Sequence, residues 1–189
     1  NLDLLFKLFH QKNYSQSKKL AINLLKDYPK EFIIHKILGF IFKIEKNYKD
    51  SIIYFKNALN ITNNDLEVLF NLSISYYLNN EINNAEIEYR KLIKIDPKHI
   101  DGNYNLALLL SEKGKLNESL ELYNFIIKLN PNHINAYNNI GLIFLNQSKI
   151  NTAIKYFNIC LKINSKFYKA YINLGIAHKY YGDFKLAEK

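Results

Sequence analysis

The side chains best suited to chemistry are one cysteine, Cys160, five histidines and a regular column of asparagines. A nucleophilic thiol needs an electropositive, partly exposed setting that stabilises the thiolate. The residues around Cys160 offer no such charge, and its place in a recurring pattern is that of a small core residue. His99 and His133 stand 34 residues apart, just after Pro97 and Pro131. Equivalent sites on successive helix pairs lie too far apart to share a zinc ion. His35 and His178 occupy columns otherwise held by large packing residues, and His10 precedes a turn. Glu86, Glu88, Glu118 and Glu121 sit among lysines on helix faces and read as solvated. No glycine-rich loop is spaced to cradle a phosphate. The chain is therefore expected to hold no metal or cofactor and to carry no catalysis in this segment.

The asparagines are different. Asn71, Asn105, Asn139 and Asn173 recur every 34 residues, although asparagine is a mediocre helix former. Each amide offers a donor and an acceptor. A stacked row of them matches an extended peptide backbone, which also presents one N–H and one C=O per residue. Each such bond contributes only about 0.5–1.5 kcal/mol net. Four in register would hold a peptide with little regard for its side chains. The competing reading is a structural default at a solvated helix surface, and the sequence leaves both open.

The elements that position these residues follow from the same period. Pro29, Pro97 and Pro131 are separated by multiples of 34, as are Gly39, Gly141 and Gly175. With Phe32, Leu66, Ile100, Ile134 and Tyr168 as first positions, whole columns resolve. Position 7 is Leu or Ile throughout. Position 8 is small except for Leu5, position 20 is small from Ser17 to Ala187, and position 24 is aromatic except for Ala21. Apolar residues four apart share a helical face, so positions 7 and 11 define one helix and positions 20, 24, 27 and 28 a second. Small residues at 8 and 20 let the two backbones approach. Positions 14 to 17, such as Lys113-Gly114-Lys115-Leu116, form the turn between them. Proline near position 32 stops the second helix.

This pattern resembles the tetratricopeptide repeat family. Segments such as Asn138-Asn139-Ile140-Gly141, Gly182-Asp183-Phe184 and Leu129-Asn130-Pro131-Asn132 carry the likeness. The resemblance implies an all-α tandem helix-turn-helix solenoid, a right-handed superhelix, forming one array over residues 1–189. Its repeats would be 1–31 (partial), 32–65, 66–99, 100–133, 134–167 and a truncated 168–189. It also implies that the first helix of each pair lines a concave surface. Asn71, Asn105, Asn139 and Asn173 then become candidate peptide contacts, with Tyr104, Asn138, Tyr77 and Lys179 as neighbours. The asparagine column is similar to that of the repeat array in O-linked N-acetylglucosamine transferases, where it grips substrate peptide. Asp3 and Ile37 depart from it in the first two repeats. The family's clamp for terminal carboxylates is matched by Lys36 and Asn71 but not by Phe40, Asp101 or Asn105.

The implied function is a protein- or peptide-binding scaffold without catalysis. The alternatives are a substrate-recognition arm of a larger glycosyltransferase or sulfotransferase, and a structural spacer or assembly platform. A net charge of +9 favours acidic partners. Arg90 is the only arginine and the lysines form no long run, which argues against nucleic acid. No apolar run is long enough to span a membrane. A single cysteine suits a reducing, cytoplasmic setting without establishing a compartment. The C-terminal end shows no capping helix, so exposed apolar surface and self-association are expected there.

Overall fold

A computed structural model describes residues 1–182; Phe184 and Ala187, expected in columns 17 and 20 of the last repeat, lie outside the described residues. The described chain is helical and divides into two compact units, Asn1–Pro97 and a second from Lys98 onward. The first unit holds α1 (Leu2–His10), α2 (Tyr14–Asp27), α3 (Phe32–Ile44), α4 (Tyr48–Ile61), α5 (Leu66–Leu78) and α6 (Ile82–Ile95). The second holds α7 (Ile100–Glu112), α8 (Leu116–Leu129), α9 (Ile134–Asn146), α10 (Ile150–Ile163) and α11 (Tyr168–Tyr181). From α3 onward, every first helix starts at the expected first position and every second helix at position 17. Within each unit, helices pack against their neighbours in the chain, and α3 also meets α5, as α9 meets both α7 and α11.

The turn inside each of the first five pairs is built the same way, and the sixth begins with the same backbone conformation. Position 15 adopts the left-handed conformation at Lys12, Lys46, Asn80, Gly114, Ser148 and Gly182, with φ between 59° and 80°. That backbone lets the next N–H return to the carbonyl five residues earlier. Examples are Asn47 to Phe42 at 2.9 Å and Lys115 to Leu110 at 2.8 Å. The residue at position 15 itself donates three residues back, as Ser148 does to Leu145 at 2.9 Å. Together these are the two bonds of a Schellman motif, which satisfies carbonyls that the helix end leaves open. Asn13 and Asn47 then cap the following helix, accepting from the N–H groups of Gln16 and Asp50.

Between pairs, the second helix ends two residues before Pro29, Pro97 and Pro131. It ends at the equivalent residue in α4 and α10, where Asn63 and Ser165 replace proline. Proline at position 32 therefore accompanies the stop without being required for it. Helices α5, α7 and α9 are capped by Asp65, His99 and His133, each accepting a backbone N–H three residues on.

Where the two helices of a pair touch, side-chain sizes are matched. A Cβ on Gly39 would lie 2.5 Å from the Phe55 ring, and one on Gly141 would lie 2.5 Å from that of Phe157. Ser51 and Ser119 at position 20 are fully buried and donate to the carbonyls of Gly39 and Ala107 at 2.9 and 2.7 Å. The first repeat reverses the sizes: Leu5 stands at position 8 and Ala21 at position 24, both fully buried in one cluster. What looks irregular in the sequence is a large-for-small exchange that keeps the core filled. At the far end of the second unit, α11 leaves Tyr168, Tyr171, Ile172, Ile176 and Tyr180 exposed.

Candidate peptide-binding face

In the first unit, the first helices α3 and α5 bring together Lys36, Lys43, Asp65, Glu67 and Asn71. Lys36 Nζ lies 2.7 Å from Glu67 and 3.2 Å from Asp65. Burial works against its charge, but these two carboxylates outweigh it and hold its pKa above the usual lysine value. Lys43 Nζ donates to the Asn71 carbonyl oxygen. Burial pulls the Lys43 pKa down, and the charge of Glu67 only partly opposes this. The Asn71 amide nitrogen donates back to the Glu67 carbonyl at 2.7 Å, and the residue is only 7% exposed. Asn71 is thus engaged on both sides by its own chain. Tyr77, one helical column further along, is partly buried. Lys43 shares that column with Tyr77 and Lys179, and the repeat register would have found it. It was missed because an isolated lysine reads as solvated.

The second unit brings more of the expected residues into one network. Asn139 on α9 donates to the hydroxyls of Tyr104 on α7, at 3.1 Å, and Tyr123 on α8, at 3.0 Å. Asn138 donates to the side-chain oxygen of Asn139 at 3.4 Å, and Asn173 on α11 donates to the side-chain oxygen of Asn138 at 2.8 Å. One chain of bonds therefore links four helices. Asn138 is buried, while Asn139, Asn173 and Tyr104 are half-buried. Tyr123 is fully buried, and desolvation holds its hydroxyl protonated well above the usual phenol range. Asn105 on α7 is half-buried, and its side-chain amide has no partner among the described residues. Lys179 is exposed near the end of α11 and stands apart from the network. Tyr123 belongs to the aromatic core column, so nothing in its spacing indicates that its hydroxyl would reach an asparagine of the polar column.

The remaining chemically capable residues take structural roles. His99 and His133 accept helix-capping bonds through Nδ1, from the N–H groups of Gly102 at 3.0 Å and Ala136 at 3.1 Å. The Cys160 side chain is fully buried, and its thiol lies 3.5 Å from the Ile134 carbonyl. Burial pushes that thiol up to about 11, which suits packing and not attack. His35 shares a ring contact with Tyr54 and meets the Pro29 carbonyl through Nε2 at 2.9 Å. No described helix is long and apolar enough to cross a membrane.

Comparison with known proteins agrees with the repeat geometry. Models described as tetratricopeptide repeat match residues 66–99 and 134–167 and residues 88–121, and one described as TPR repeat matches residues 109–148. Together they run without a gap from residue 66 to residue 167, more than half of the chain. The chain belongs to the tetratricopeptide repeat family.

Among solved structures, MamA is 22% identical with a TM-score of 0.80, over 86% of this chain and 95% of that one. YrrB, described as a TPR protein with an unusual peptide-binding site, is 14% identical with a TM-score of 0.81, over 89% and 87%. A tetratricopeptide repeat protein from Parabacteroides merdae is 14% identical with a TM-score of 0.87, over 99% and 74%. At these identities the likeness shows the fold. No curated protein matches the chain in sequence.

Proposed function

We propose that this chain is a protein-binding scaffold whose second unit holds an extended peptide against the first-helix face of α7, α9 and α11. The observation that supports this most directly is the amide and hydroxyl network of Tyr104, Tyr123, Asn138, Asn139 and Asn173, with the unpartnered Asn105 amide beside it. A network whose members hold one another in place is pre-organised, so a ligand loses less freedom on binding. Asn105 supplies the free donor and acceptor, while Asn139 and Asn173 present their remaining capacity from fixed positions. The chain would act by holding a partner and not by chemistry of its own. The YrrB description shows that the fold can carry a peptide site in another protein.

The bonding pattern determines which variant tests this. Replacing all four column asparagines would also remove the internal bonds of Asn71, Asn139 and Asn173 and confuse stability with binding. Asn105→Ala removes only the free amide. Peptides are first selected on the wild-type chain from a displayed random library, then measured by fluorescence anisotropy. Asn105→Ala is expected to weaken the selected peptides roughly 3- to 10-fold, the equivalent of one hydrogen bond, with an unchanged melting temperature. Unchanged affinity, or a library that yields no binder, refutes the reading.

A further inference from the structure

From Leu122 to Gly182 the sequence contains no aspartate or glutamate and seven lysines. With 17 acidic residues in 189, a stretch of that length would ordinarily hold about five. Several lysines of the first unit are ion-paired: Lys18 lies 2.5 Å from Glu45, Lys36 meets Asp65 and Glu67, and Lys91 lies 2.8 Å from Glu88. Lys155, Lys162, Lys166 and Lys169 are exposed, and none has a side-chain partner among the described residues.

Their placement is not uniform. Lys128 and Lys162 sit in the last turns of α8 and α10, where a cation offsets the negative end of the helix dipole. Lys155 lies seven residues before Lys162, on the same face of α10. The two flank a shallow open depression of about 570 Å³, also lined by Asn158, Ile159 and Leu161. Lys166 in the junction and Lys169 in the first turn of α11 follow Lys162 by four and seven residues. The acidic residues of the unit that lie before this stretch are Asp101 and Glu112 on α7 and Glu118 and Glu121 on α8, so α9, α10 and α11 are wholly without them.

We propose that this face, centred on Lys155, Lys162, Lys166 and Lys169, docks an acidic segment of a partner polypeptide. Charge complementarity identifies the occupant: a row of unpaired lysines attracts carboxylates and gains little from neutral or basic chains. The depression adds two aliphatic side chains and an amide, a floor suited to peptide side chains. Nucleic acid is the poorer fit. The only arginine in the chain is Arg90, in the first unit, so the planar fork that recognises phosphates and bases is missing here. No aromatic ring lines the depression to stack a base. Apart from Lys169 in the first turn of α11, this surface lies on a second helix and a junction, whereas Asn105, which tests the first-helix face proposed above, is on α7, so the two sites can fail independently.

The test uses fluorescein-labelled (Glu-Gly)6, its neutral counterpart (Gln-Gly)6 and an oligothymidylate of about the same length, each measured by anisotropy at low salt and again near about 0.2 M, where the screening length is shorter. The acidic peptide is expected to bind at low salt and to weaken as salt rises, while the neutral peptide does not bind. The variant Lys155→Gln/Lys162→Gln/Lys166→Gln/Lys169→Gln should lose at least tenfold in affinity. A control variant, Lys19→Gln/Lys30→Gln/Lys49→Gln, alters exposed lysines of the first unit and should lose less than twofold. Equal losses in both variants would reduce the effect to net charge and overturn the proposal. So would equal binding of the neutral peptide, or tighter binding of the oligothymidylate than of (Glu-Gly)6. Asn105→Ala should leave the acidic peptide unaffected; a loss there would move the peptide to the first-helix face, overturning this assignment and leaving the earlier one standing.

Discussion

Position 15 of the repeat asks one residue to do something most side chains resist. Six residues adopt positive φ there, and only Gly114 and Gly182 are glycine. For a residue with a Cβ, the left-handed conformation costs roughly 1–2 kcal/mol, while glycine's greater unfolded freedom returns about 0.5–1 of that. Lys46→Gly should therefore raise stability by about 0.5–1 kcal/mol, and Gly114→Ala should lower it by a similar amount. A Cβ at Gly114 meets nothing within 4 Å, so that loss would come from the backbone and not from a clash. Urea unfolding monitored by circular dichroism distinguishes the cases. An unchanged midpoint in Lys46→Gly would mean that the lysine side chain supplies contacts that offset the strain. Asn80 is intermediate, since asparagine tolerates this region better than lysine or serine.

At the scale of helices, the contact between position 8 and position 24 governs how closely a pair can pack. Gly141→Ala pushes a methyl into the Phe157 ring and should cost about 1–3 kcal/mol. The first repeat shows the other solution, Leu5 with Ala21, and allows a double-mutant cycle. Ala21→Phe alone should overpack the α1–α2 pair. Adding Leu5→Gly, which recreates the size order of the second repeat, should recover a large share of the loss. Strictly additive effects on the urea midpoint would show that the two positions do not share space. Helix boundaries were legible because columns repeat: the starts of α3, α5, α7, α9 and α11 fall on the expected first positions. The asparagine column was legible as a pattern, but its bonding was not. Asn139 reaches Tyr123 across two helices and Asn71 reaches Lys43 across another two, and such contacts depend on rotamers that spacing does not encode. The exchange at Leu5 and Ala21 read as divergence because its logic lies in a pair of residues.

Over the whole molecule, buried ionisable groups are expected to lower stability at alkaline pH. Burial raises the Cys160 thiol to about 11 and raises the Tyr123 and Tyr76 hydroxyls above their ordinary range. A group whose folded pKa is raised keeps its contribution below the unfolded pKa and loses it as pH climbs through the folded one. For Cys160 that window runs from about 8.5, the value of a free thiol, to about 11. Melting temperature should therefore hold below about pH 8.5 and decline steadily above it. Ellman's reagent should leave Cys160 unmodified at pH 8 in the native chain and react fully in urea. Rapid native-state reaction would contradict the burial of α10 against α9 and α11.

Within each unit, helices touch chiefly the helices next to them in the chain. Contacts of short sequence separation are quick to form, because little loop entropy must be lost before they stabilise anything. Such a chain need not fold from one nucleus or open all at once. Amide exchange should report a gradient, fastest in α1 and slowest in helices flanked on both sides, such as α4 and α9. A scaffold built this way can loosen at an end while its middle stays formed. On the proposed reading, a partner held through α7, α9 and α11 would be released by unzipping one helix at a time.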